Sequence, residues 1–194
     1  MRALLPRRQR VLGATAVSLA TLLTLSALGA ARSAPKQQKD PWLAVRFLEG
    51  TWVGTSKGEP GEGTVERTYA FALKNRYLHE RNVSTYPPQA ANPKGEVHEH
   101  WSFISHDRAR DALVMRQFHQ EGFVNQFVFA RNASSDKRLV FESESFENFS
   151  GWRGRETYDL VSNDEFVETF ELGQLGKEMQ VYSRNRFKRA KRQP

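Results

Sequence analysis

Cysteine is absent from the 194 residues. Its absence excludes disulfides, a lipid-modified cysteine behind a leader, and a thiol nucleophile. Catalytic signatures are equally scarce: the chain has no His-Glu-x-x-His pair and no glycine loop that would cradle a phosphate. Histidine is thinly spread, with five residues and none after His119. A chain without covalent staples depends on a hydrophobic core, and the length of one domain is enough to bury one.

Charge of one sign is also missing from the body of the chain. The formal net charge of +7 is concentrated at the two ends. The five arginines before residue 34 leave 24 basic against 22 acidic residues, and without Lys188, Arg189, Lys191 and Arg192 the body of the chain is at −2. No basic face is therefore expected, and nucleic acid is excluded as a partner. Arg2, Arg7, Arg8 and Arg10 precede an uncharged run from Val11 to Ala31. A basic segment followed by an apolar one is the pattern of an export signal, assigned to residues 1–33. Cleavage predicts a secreted or periplasmic protein; without cleavage the run would act as a membrane anchor. Otherwise only the basic tail, residues 190–194, is expected to touch a membrane.

Residues 34–40 read as a polar linker. Asp40-Pro41 then supplies an N-cap and a first-turn proline, and Trp42, Val45 and Leu48 recur at helical spacing, so a short helix is expected before Gly50. From there the period is two. Strands are expected over residues 51–55, 64–72, 77–86, 97–105, 112–119, 123–131, 138–146, 156–161, 165–172 and 179–187. Glycine, asparagine and aspartate punctuate them. About ten sequential strands with short connections predict an all-β, antiparallel up-and-down barrel over residues 41–189.

In a strand, residues two apart share a face. Between Gly95 and Phe129 no strand has a purely apolar face. Val97, Glu99, Trp101 and Phe103 oppose His98, His100, Ser102 and Ile104. Leu113, Met115, Gln117 and His119 oppose Val114, Arg116 and Phe118; Phe123, Asn125, Phe127 and Phe129 oppose Val124, Gln126 and Val128. A barrel this wide has room for a ligand. The apolar wall is expected from Trp52, Trp101, Phe118, Phe127 and Phe141. Glu99, Arg116, Gln117, His119 and Asn125 are the polar candidates, joined by Tyr182 and Arg184, which could pair with a ligand carboxylate. If the aromatic face of the Val97 strand points inward, Glu99 is its inward polar group and His98 and His100 face out. His98-x-His100 with His79 from the neighbouring strand is a weaker candidate for zinc or copper. A general acid–base pair such as His119 with Glu121 or Glu99 can be drawn, and an isomerase or cyclase using the barrel as a reaction chamber would need a buried titratable residue facing the cavity.

Leu48-Glu49-Gly50-Thr51-Trp52-Val53-Gly54 after a short helix resembles the opening of lipocalin and fatty-acid-binding (calycin) barrels. Gly50-Thr51-Trp52-x-Gly54 with Gly95-x-x-His98-Glu99 and Phe103-Ile104 is similar to nitrobindin, a ten-stranded haem-binding barrel, over roughly residues 41–189. Residues 115–126 resemble uncharacterised bacterial relatives of that type. The resemblance implies a haem ligand on the last strand. The matching place falls near Arg184, which is not an iron ligand, so haem would need His98, His100, His119 or a tyrosine. The expectation is an exported barrel holding a small hydrophobic or amphipathic molecule. Haem or nitric-oxide binding is the alternative, and a barrel enzyme the third.

Overall fold

The computed structural model describes residues 40–90 and 92–191. The proposed export signal, nearly all of the linker, and residues 192–194 of the tail lie outside the described residues.

Ten strands follow one another: β1 (Gly50–Gly58), β2 (Gly61–Ala72), β3 (Tyr77–Tyr86), β4 (Glu96–Asp107), β5 (Ala112–His119), β6 (Val124–Phe129), β7 (Arg138–Glu147), β8 (Trp152–Ser162), β9 (Glu165–Gln174) and β10 (Gln180–Arg189). Each pairs antiparallel with its sequence neighbours, and β1 pairs with β10 to close the barrel. The expected up-and-down architecture is the one observed. Closure matters physically because it leaves no unpaired strand edge.

Two expectations need correction. The segment after Asp40 does not form an α-helix: it is a run of turns followed by one 3-10 turn, Arg46–Leu48. Asp40 does cap it, accepting a bond from the Trp42 amide at 3.0 Å. The segment has too few residues to offset the cost of helix nucleation, and the packing of Trp42, Val45 and Leu48 into the barrel decides its shape instead. Several strands also run further than expected. β1 continues past Thr55 to Gly58, β2 begins at Gly61, and β8 begins at Trp152 and runs through Gly154. These glycines do not break strands; Gly54 and Gly58 sit where a β10 carbonyl approaches too closely for a side chain.

Alternate connections lie at opposite ends of an up-and-down barrel. At one end the Arg46–Leu48 turn plugs the opening over Trp52, Phe166 and Phe187, all fully buried. The Trp52 indole donates to the Leu48 carbonyl at 2.7 Å, and the Arg189 guanidinium lies 4.1 Å from a Trp52 ring centroid. Arg189 also donates to the carbonyls of Phe47, Glu49 and Asn163, tying the plug to β10 and to the β8–β9 turn. The apolar core fills this closed half, with Tyr69, Leu78, Ile104, Met115, Phe127, Phe141 and Tyr158 around it. The other half is not filled by core, and it holds the candidate site.

Candidate functional site

Inward residues of the middle of the barrel are polar. Arg67 on β2, Glu80 and Asn82 on β3, Ser102 on β4, Gln117 on β5, Glu156 on β8, Glu168 on β9 and Asn185 on β10 are all buried. Arg67 is the centre of this layer. Its guanidinium makes a paired contact with Glu168 at 2.5 and 3.0 Å, lies 2.9 Å from Glu80, and donates to Asn82 at 3.0 Å. Asn185 donates to the same Glu168 at 2.7 Å. Burial disfavours ionisation of Glu80, but the Arg67 charge and a bond from His100 overcome it and hold its carboxyl low, at about 2. Glu156 forms no ion pair among the described residues, and the Arg67 charge only partly offsets its burial. Burial, then the charges of Glu168 and Glu80, push it up to about 8, so it is protonated at neutral pH. Gln117 donates to one of its oxygens at 2.7 Å and the Tyr158 hydroxyl bonds to the other at 2.7 Å.

Above this layer a cavity of about 360 Å³ opens toward the end opposite the plug. One wall is apolar, from Phe123, Phe146, Phe149, Phe170 and Leu172, with Tyr182 at the rim. The facing wall carries His98, His100, His119, Asn82, Gln117 and Asn125. His119 stacks on Phe123 with centroids 4.2 Å apart, joining the two walls. The three imidazoles meet because His98 and His100 are two apart on β4, and His119 on β5 is the register partner of His100. Burial, then the neighbouring His100 and His98, holds His119 far below the usual imidazole range, at about 2.

The sequence candidates divide accordingly. Gln117, His119, Asn125 and Tyr182 line the cavity. Trp52 and Phe127 are inward but belong to the filled closed half, as does Phe141. Trp101, Phe118, Arg116 and Arg184 point outward and are exposed. Glu99 is also on the outer face, where Arg81 and the Trp101 indole bond to it at 2.9 and 2.8 Å. The conditional reading of β4, with its aromatic face inward, is therefore reversed: His98 and His100 face the interior. His79 lies on the outer face between Trp101 and Phe103, and is no partner for them. The reversal has a physical cause. Tyr77, His79, Trp101, Phe103 and Phe118 pack against one another along the outside, so an apolar stripe there does not mark the core.

His119 cannot pair with Glu99 as acid and base, since the two lie on opposite faces; Glu121 bonds instead to His98 Nδ1 at 2.9 Å. The spacing Gly54-Thr55-Ser56-Lys57-Gly58 matches a nucleophile elbow, yet it lies within β1 and not at a strand-to-helix turn. Ser56 Oγ is hydrogen-bonded to the Tyr86 hydroxyl at 2.8 Å, with no histidine beside it. The last-strand haem ligand implied by resemblance also finds no match. Arg184 is outward, and its inward neighbours Ser183 and Asn185 are not iron ligands. These residues do not fit haem held in that way.

Sequence reading missed Arg67, Glu80, Asn82, Glu156 and Glu168. A signal existed on β3, where Leu78 and Tyr86 bracket Glu80, Asn82 and Ser84 on one face. Phe146 and Phe149 were missed for another reason: they come from the end of β7 and the turn around Asn148, where no periodicity is defined; Phe170 lies within β9, beside Glu168 on the same face.

No family profile matches the chain, and no curated protein sequence does either. Among solved structures it is similar to Rv2717c from M. tuberculosis, with a TM-score of 0.58 and 15% identity over 81% of this chain and 99% of that one. At that identity the likeness is one of fold: a closed ten-stranded antiparallel barrel, compatible with ligand binding.

Proposed function

We propose that the barrel binds one small amphipathic molecule in the open half, with its apolar part against Phe123, Phe146, Phe149 and Phe170 and its polar end toward Gln117, Asn125 and Asn185. The observation that carries this reading is the two-sided cavity itself, one wall aromatic and the other polar. Binding pockets combine apolar lining with a few placed polar groups in this way. Buried atoms without partners support it further: Asn125 Oδ1 and Asn185 Oδ1 are enclosed and have no hydrogen-bond partner among the described residues. Buried polar groups left so carry a penalty, and a ligand or water that bonds to them removes it. Affinity would come mainly from apolar burial, at about 25 cal/mol per Å² before the costs of association.

Export is part of the proposal and rests on the basic and apolar segments of residues 1–33 alone. So is a place among calycin-type barrels near nitrobindin, which rests on the Gly50–Gly54 and Gly95–Glu99 motifs.

The test is saturable uptake of a fluorescent apolar probe such as N-phenyl-1-naphthylamine. One site is expected, with affinity lowered about 10-fold or more when Phe149 or Phe170 is replaced by alanine, the loss of roughly 1.5–3 kcal/mol of burial. Absence of saturable uptake, or uptake indifferent to both substitutions, would sink the reading.

A further inference from the structure

We propose that His98, His100 and His119 form a binding site for a divalent first-row transition-metal ion, best matched by zinc, on the polar wall of the cavity. Their ligand atoms lie within 4.8 Å of one another. His98 Nε2 is 3.4 Å from His100 Nδ1 and 3.4 Å from His119 Nδ1. Around a tetrahedral zinc ion with bonds of about 2.0–2.1 Å, neighbouring ligand nitrogens are about 3.3–3.4 Å apart. Two of the three separations therefore already have the value that metal binding needs, and only the third pair has to close.

The partners of the outer nitrogens decide which inner nitrogens are lone pairs. His98 Nδ1 faces Glu121 Oε1 at 2.9 Å, and His100 Nε2 faces Glu80 Oε1 at 3.2 Å. A carboxylate accepts, so each of these nitrogens carries the hydrogen, and in a neutral ring the inward nitrogen is then a lone pair. His119 Nε2 lies 3.1 Å from the Asn125 side-chain amide, and with that amide turned so that its unpartnered Oδ1 accepts from Nε2, the inward Nδ1 is the lone pair. In that arrangement three imidazole nitrogens converge on one point; with the amide unturned, the His119 Nδ1 proton bridges only one 3.4 Å pair. A cation satisfies all three at once.

Outer partners of this kind are what orient imidazole ligands in metal sites, the histidine–carboxylate pair most of all. Glu80 is itself fixed by Arg67 at 2.9 Å. The charge beneath the site also suits a cation. Arg67 faces two carboxylates, Glu80 and Glu168, and Glu80 Oε2 has no hydrogen-bond partner among the described residues. Three imidazoles without thiolate or further carboxylate suit zinc, copper or nickel over magnesium or calcium. Because His98 and His119 border the cavity, the fourth position opens into it, within reach of a donor atom on a bound molecule.

The site does not depend on the apolar wall, so it can stand if probe uptake fails, and the reverse. The full chain is stripped with a chelator and titrated with zinc alone by calorimetry, then with cobalt(II) as an absorbing surrogate. One equivalent is expected, with the visible cobalt spectrum of a four-coordinate site. His100→Ala and His119→Ala should each weaken zinc binding by about 100-fold or more, while the outward His79→Ala leaves it unchanged; the apolar-probe affinity of the same variants separates loss of metal from loss of the cavity. If those variants do not fold, Glu121→Gln should still fold and lower zinc affinity by about 10-fold through His98. No saturable zinc uptake, or affinity unaffected by the histidine substitutions or, in their place, by Glu121→Gln, overturns the proposal. A cluster that only shares a proton gives that result.

Discussion

Glu156 shows how a single side chain in this barrel is set by what surrounds it. Burial with two carboxylates nearby pushes its pKa up to about 8, from an ordinary value of 4.5. The folded protein therefore holds a proton on Glu156 that the unfolded chain releases above pH 4.5. This contribution to stability is full below that pH and is lost as pH rises toward 8. Glu156→Gln keeps the bonds to Gln117 and Tyr158 in a group that does not titrate. Relative to wild type, the variant should gain stability between pH 5 and pH 8, on the order of a few kcal/mol at the upper end. The low value of Glu80 acts on the acid side of that window, and His119 acts equally in both proteins, so neither contributes to the difference. Urea midpoints at the two pH values measure it, and parallel profiles for variant and wild type would show that Glu156 is ionised when folded. No reading of the sequence reaches this residue: Glu156 lies on a strand as an ordinary strand acid would, and only the closure of the barrel brings it near Glu168 on β9 and Glu80 on β3.

At the scale of the strand, period two was legible and its phase was not. All ten strands could be read from alternation, because apolar and polar positions take turns along each. Which face pointed inward on β4 could not, because Trp101, Phe103 and His79 form an outer aromatic stripe that looks like core. A cross-strand check would have helped: β5 presents Leu113, Met115 and Gln117 on one face, and its partner must turn the same way. Register then sets His100 opposite His119. Glycine has a related role. Gly54 lies inside the expected first strand and Gly58 beyond its end, and a Cβ at either would collide with a β10 carbonyl, Arg186 or Tyr182. They are what lets β1 approach β10. Gly54→Ala should therefore destabilise the barrel by about 2–4 kcal/mol, against the gain of a few tenths that alanine brings an ordinary strand glycine. The same change at Gly151, whose Cβ would meet nothing but whose φ is +84°, costs only the strain of its turn, about 1–2 kcal/mol. Equal losses at the two positions would argue against a tight seam.

The whole molecule depends on that seam, since β1 and β10 are the ends of the domain and must find each other last in sequence. Their pairing joins Gly54 to Phe187 and Lys57 to Arg184. Non-local pairing of this kind yields its contacts only after most of the chain is ordered. β10 also supplies each half with something it lacks elsewhere: Phe187 stacks on Phe166 in the core at 4.8 Å, Arg189 covers Trp52, and Asn185 holds Glu168 in the polar layer. Removing residues 177–194 should therefore do more than shorten the protein. It exposes the edges of β1 and β9, uncovers the closed-end core and leaves the Arg67–Glu168 pair open to solvent. The truncated chain is expected to associate and to lose its cooperative urea transition, because an open sheet of nine strands keeps two unpaired edges. Adding a synthetic peptide of residues 177–191 should restore the monomer and the transition, as strand addition to a waiting edge does. Size-exclusion chromatography and denaturation with and without peptide read both effects. A truncated chain that stays monomeric and unfolds cooperatively by itself would mean that closure is a consequence of this fold and not its condition.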